Sequence, residues 1–300
     1  MPAVQANGLT IEYEERGASD APVILLVMGF GAQLTLWPDD FCDALADGGF
    51  RVVRFDNRDI GLSQKFDHAP VPDIMDLTMR AMRGEKLDVA YTLDDMTLDA
   101  VGLLDALGIE TAHVIGMSMG GMIAQLLAAN HAPRVKSLVS IMSTSGNPGL
   151  PPGKPEVLQT LTNRPTDPDD REALIAHGVK VFKMIGSPGY PVDDAALRAR
   201  VSQSIDRSFY PQGATRQFAA IIAGGSRVEA LKTISTPSLV IHGADDPLVP
   251  VDGGKDTARH IPGAELRIVD GMGHDIAPGL VPTLAAAILD HCRKAEARAS

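Results

Sequence analysis

Cysteine is scarce in this chain: two residues in 300, Cys42 and Cys292, lie far apart and in no metal-ligand spacing. A disulfide scaffold and a structural zinc site are thereby disfavoured, and a reducing cytoplasm fits. Aromatic residues make up only 4%, which argues against a stacking site for a large planar substrate. Basic residues are outnumbered, 27 Lys and Arg against 38 Asp and Glu, giving a formal net charge of -11. Nucleic acid and anionic membrane surfaces would repel such a protein, so neither is an expected partner, and polyanionic substrates are disfavoured. The longest apolar runs, such as Pro22 to Met28, fall far below the roughly 18 residues a membrane span needs. Met1 to Glu15 carries no basic stretch ahead of an apolar run and does not read as a signal peptide. The first strand–helix junction has no glycine-rich dinucleotide signature, and no metal-ligand cluster is visible; neither cofactor nor metal is implied.

What is present describes a soluble globular chain, 45% hydrophobic and 22% charged, long enough for one large domain or a domain with an insertion. Leu9 to Glu15 alternates weakly and reads as an opening edge strand. Val23-Ile24-Leu25-Leu26-Val27 is apolar at every position, as a central strand of a helix-covered parallel sheet must be. Trp37 to Asp47 has helical spacing and ends at Gly48-Gly49. Further strands are expected at Arg51 to Phe55, Ala112 to Gly116, Val135 to Met142, Ser238 to His242 and Leu266 to Val269. Helices are expected at Leu93 to Leu107, Met119 to Ala129 and Ile276 to Cys292. The alternation predicts an α/β fold with a doubly wound, mostly parallel sheet.

That alternation is interrupted. From the loop Gly146-Asn147-Pro148-Gly149-Leu150-Pro151-Pro152-Gly153 onward the pattern is helical until Ser238. The segment 146–231 reads as a helical cap lying over the sheet's C-terminal edge, where α/β proteins bind ligands, between core parts 1–145 and 232–300. Asp73 to Arg83 reads as a short helix beside the same edge.

Gly116-Met117-Ser118-Met119-Gly120 fits G-x-S-x-G between a predicted strand and a predicted helix. A sharp turn there needs small residues at Gly116 and Gly120 and lifts the serine above the sheet, at a helix N-terminus that favours developing negative charge. A serine needs a base, and the base an orienting acid. Of eight histidines, His274 in Gly271-Met272-Gly273-His274 follows the last strand and faces the same edge as Ser118. His242, at a strand end, reads as a buried structural histidine, and His113 should point away. His68, His131, His177, His260 and His291 read as loop, helix-surface or cap residues. For the acid, Gly243-Ala244-Asp245-Asp246-Pro247 offers two carboxylates. Pro247 restricts Asp246 to an extended conformation that can direct its side chain across the edge, while Asp245 suits a turn cap. The order Ser, Asp, His is that of α/β-hydrolases. Two oxyanion donors are expected: the N–H of Met119, and that of Phe30 in Met28-Gly29-Phe30-Gly31. Met28, Trp37 and Met117 are candidate pocket residues by position, although methionines serve equally as core.

These residues make the chain resemble the α/β-hydrolase fold family over nearly its whole length. Asp56-Asn57-Arg58-Asp59-Ile60-Gly61-Leu62-Ser63 resembles the family's DxRGxGxS loop, with Asp59 in place of the usual glycine, and Met28-Gly29 stands where many members have His-Gly. Both departures, with Leu26-Val27-Met28-Gly29 and Trp37-Pro38-Asp39-Asp40-Phe41, resemble the aclacinomycin methylesterase group. The resemblance implies ester hydrolysis of a small-molecule substrate by a serine, an aspartate and a histidine, and places the acid at Asp246. Ser118 stands where dehalogenases and epoxide hydrolases of this fold carry an aspartate. Carbon–carbon bond hydrolases, lyases, perhydrolases and acyltransferases keep the serine and stay open, as does a slow-turnover ligand receptor. Oligomeric state is not legible.

Overall fold

The computed structural model describes residues 2–162, 165, 167 and 169–299. Its first part runs β1 (Ala3–Ala6), β2 (Leu9–Arg16), β3 (Val23–Val27), α1 (Asp39–Asp47), β4 (Arg51–Phe55), α2 (Ile74–Met82), α3 (Leu93–Ala106), β5 (Ala112–Met117), α4 (Met119–Asn130) and β6 (Val135–Ile141). Five helices follow with no strand among the described residues: α5 (Pro155–Thr162), α6 (Arg171–Ile185), α7 (Asp194–Arg207), α8 (Pro211–Gly224) and α9 (Val228–Lys232). The chain then returns through β7 (Ser238–Gly243), α10 (Val251–His260), β8 (Glu265–Val269) and α11 (Val281–Ala299).

The described strands form one eight-stranded sheet in the order β1-β2-β4-β3-β5-β6-β7-β8, antiparallel at β1–β2 and β2–β4 and parallel from β4 to β8. The doubly wound prediction holds because β3 feeds both faces. Val23, Leu25 and Val27 pack under α3 and α4, while Ile24 and Leu26 pack under α1 and α11. Successive side chains of a strand point to opposite faces, so a strand buried on both must be apolar throughout.

Local signals set several ends. Asp73 caps α2 by accepting from the N–H groups of Met75 and Asp76. Gly108, at φ 67°, lets the chain leave α3. Three expectations need correction. The opening strand has a partner before it, β1, only four residues long and too short to be visible as a pattern. The helix expected from Trp37 starts at Asp39, since the residue before a proline is driven out of the helical region and Trp37 sits at ψ 112°. The last helix begins at Val281, not Ile276: a 3₁₀ turn over Pro278–Leu280 intervenes.

Candidate active site

Ser118 occupies the turn between β5 and α4 at φ 56°, ψ -120°, a conformation unfavourable for any residue with a side chain. The surroundings enforce it. Its N–H donates to Ile141 O at 2.9 Å, and its carbonyl accepts from Gly121 N at 2.9 Å and Ser143 Oγ at 2.8 Å. A Cβ on Gly116 would lie 2.1 Å from Gly120 O, and one on Gly120 would lie 2.0 Å from Val27 O, so both positions require glycine. The Ser118 side chain makes no capping bond to α4, leaving the hydroxyl available.

His274 donates from Nδ1 to Asp246 Oδ2 at 2.6 Å, with both side chains buried. Asp246 Oδ1 accepts from Leu248 N and Val249 N, each at 2.9 Å. Burial by itself raises the pKa of this carboxyl, but the charge and hydrogen bonds of His274 and His242 outweigh it and hold the group well below the usual carboxylate range. An ionised carboxylate only accepts, so the proton between the two groups sits on Nδ1 of His274. His242, fully buried, lies with Nε2 2.8 Å from Val249 O and 3.5 Å from the same Asp246 Oδ2. Asp245 turns to Gly271, whose N–H it accepts at 2.9 Å.

Ser118 and His274 line one cavity of about 270 Å³, together with Phe30, Met117, Phe182, Arg200 and Asp275. Much of the remaining wall is apolar: Leu36, Leu161, Val181, Ile185, Leu248 and Ile276. The loop after β3 passes directly over the serine, since a Cβ on Gly29 would stand 3.1 Å from Ser118 Cβ. Met119 buries its side chain under the sheet, and its N–H belongs to the first turn of α4, where backbone donors lack intrahelical acceptors.

Two of the three pocket candidates need correction. Met28 continues the face of Ile24 and Leu26 and is wholly buried with α1 and α11, as is Trp37, which stacks on Phe41 at 5.6 Å between ring centroids. Neither lines the cavity; Met117 does. The strand alternation that buries β3 on both faces also carries Met28 away from the site.

Other contributors escaped the sequence. His177, on α6, and Arg200, on α7, line the cavity. Burial lowers the Arg200 pKa, and its guanidinium donates to Leu36 O at 2.8 Å and lies over the Phe182 ring. Asp275 accepts from Ser187 Oγ, which in turn accepts Gly273 N at 2.9 Å, while His274 N donates to Ile185 O at 2.6 Å. The loop of His274 is therefore fastened to the end of α6. Helical periodicity announces α6 and α7 but carries no sign of which residues reach a distant loop; only the adjacency of Asp275 to His274 was a usable signal.

Among the described residues, no group of three or more His, Cys, Asp or Glu is arranged to hold a metal ion, and no helix is long and apolar enough to cross a membrane. The chain is similar to a rhodomycin D methylesterase of a Streptomyces species, 30% identical over 92% of each chain. It is also similar to a 2-hydroxy-6-oxononadienedioate/2-hydroxy-6-oxononatrienedioate hydrolase of Paraburkholderia phymatum, 27% identical over 89% of this chain and 85% of that one. Among solved structures it shares its fold with an enol-lactonase of Burkholderia xenovorans, at a TM-score of 0.74 and 24% identity over 97% and 99% of the two chains. The sequence profile of the alpha/beta hydrolase fold matches residues 22–277, and with the sheet order and strand–turn–helix serine already described, the chain belongs to the α/β-hydrolase fold family.

Proposed function

We propose that this hydrolase cleaves carboxylic esters of small to medium, largely apolar molecules, with Ser118 as nucleophile, His274 as base and Asp246 as the group that orients it. The observation that carries this reading is the 2.6 Å bond from His274 to Asp246 beside the cavity that Ser118 also lines. Ser118 Oγ attacks the ester carbonyl while His274 Nε2 takes its proton, and Asp246 stabilises the imidazolium. The N–H groups of Phe30 and Met119 receive the oxyanion. His274 returns its proton to the leaving alkoxide, then deprotonates a water that cleaves the acyl-enzyme and releases the acid. Helices α5–α8 act as the cap over this cavity, whose wall is largely apolar. The methylesterase relative supports an ester with a small alcohol.

A carbon–carbon bond hydrolase on the same three residues is the second reading. It is favoured by Arg200, whose guanidinium on the cavity wall suits a substrate carboxylate, and by the dioate hydrolase relative. Turnover of p-nitrophenyl esters from acetate to long chains, in wild type and Ser118→Ala, tests the first. We expect a preferred chain length and a loss of roughly 10⁴-fold or more in the variant. Equal inactivity of both on every ester, with turnover of a 2-hydroxy-6-oxo dienoate, would transfer the assignment to the second.

A further inference from the structure

The oxyanion donor assigned to Phe30 sits in a loop with little secondary structure of its own, so something must fix its direction. Three consecutive peptide groups are involved. The Met28–Gly29 group is held through Met28 O, which accepts from Asn57 Nδ2 at 2.9 Å. The Gly29–Phe30 group, which carries the Phe30 N–H, has its carbonyl turned to Ala32 N at 3.5 Å. The Phe30–Gly31 group is held through Gly31 N, which donates to Gln217 Oε1 at 2.9 Å. Each group is planar, so fixing the peptides on both sides of Phe30 N leaves its N–H little rotational freedom.

Gln217 comes from α8, 186 residues away, and is fully buried. Its other end is also used: Nε2 donates to Arg58 O at 2.9 Å. One amide thus spans the loop after β3 and the loop after β4, with both its oxygen and its nitrogen bonded. Packing reinforces the approach. A Cβ on Gly31, at φ 65°, would meet Ala214 Cβ at 3.3 Å, and the Phe30 and Phe218 rings lie 5.5 Å apart.

We propose that Gln217 is a positioning residue for the oxyanion site: the amide by which a helix of the insertion between β6 and β7 aims the Phe30 N–H at the carbonyl oxygen of the substrate. This rests on the serine-esterase reading. A donor that matters only when charge develops acts on kcat and not on substrate binding, and losing one such donor outright costs about 10²–10³ in kcat. Misdirecting it costs less.

The test compares wild type, Gln217→Met and Gln217→Glu on a p-nitrophenyl ester and on its thionoester, whose sulfur uses the oxyanion donors poorly. Gln217→Met removes both hydrogen bonds at similar size. It is expected to lower kcat on the oxoester by about 10–100-fold, with KM changed less than threefold and a smaller oxoester-to-thionoester rate ratio. Gln217→Glu keeps an acceptor for Gly31 and is expected to retain more of kcat. Circular dichroism and the urea midpoint establish that each variant is folded. If Gln217→Met does not fold, the same fall in rate ratio is read from Gln217→Asn, whose shorter amide stays polar but cannot span Gly31 N and Arg58 O together. Gln217→Met or Gln217→Asn folded with wild-type kcat and an unchanged rate ratio, or with a loss confined to KM, would overturn the positioning role. Wild-type turnover insensitive to Ser118→Ala would instead remove the esterase reading beneath it.

Discussion

One guanidinium, that of Arg216 on α8, holds both carboxylate oxygens of Asp59, at 2.6 Å and 3.0 Å, and both side chains are almost wholly buried. Asp59 stands where the loop it resembles has a glycine, and it adopts the left-handed backbone that glycine favours, at φ 71°. Its oxygens also accept from Phe66 N and Tyr91 OH, both at 2.9 Å. The departure therefore ties the insertion to the core. Asp59→Gly would relieve the backbone but strand a buried cation, and removing one partner of such a pair costs about 3–5 kcal/mol. We expect a loss on the order of 3 kcal/mol in urea unfolding, partly recovered in Asp59→Gly/Arg216→Met. A single variant as stable as wild type would disprove the tie.

Asp246→Asn keeps the shape of the acid but not its charge, and lets His274 adopt the wrong tautomer. By analogy with serine hydrolases of other folds, kcat on a preferred ester should fall about 10³–10⁴-fold with KM little changed. A fall of less than tenfold would mean that another group orients the imidazole.

His113 has no part in the site and should govern stability in mild acid. Burial pushes its pKa down from 6.5 to about 4, against the pull of Glu296, 2.8 Å from Nε2. Between pH 6.5 and 4 the unfolded chain binds a proton at this residue that the native state refuses, so stability rises with pH across that window and is lost on acidification. The contribution is about 3 kcal/mol at most. Urea melts at pH 7.5 and 4.5 should diverge by less in His113→Gln than in wild type; equal divergence would remove His113 as the cause.

Gly120→Ala tests the crowding beneath the serine. The added Cβ would press on Val27 O at 2.0 Å and Met28 O at 2.7 Å, both backbone atoms where β3 passes into the loop that follows it. We expect a destabilisation of about 3 kcal/mol and a fall in kcat beyond what the unfolded fraction explains. A variant with wild-type stability would show that the two loops separate more easily than their packing suggests.

The sequence by itself determined the sheet, the insertion and the candidate chemistry of Ser118, Asp246 and His274. Each rests on short-range physics: an unbroken apolar run in β3, a sharp turn that needs small residues at Gly116 and Gly120, a proline that restricts Asp246 to an extended conformation. Only the tertiary structure decided what supports them. Met28 and Trp37, near the site in sequence, are carried beneath the sheet by strand alternation and core packing. Gln217, Arg216, Ser187 and Arg200, remote in sequence, meet the loops after β3, β4 and β8 or line the cavity beside them. Such contacts bond a side chain to a backbone group or a buried charge in another segment, and no local pattern encodes which turn of a helix will face that segment once the layers close.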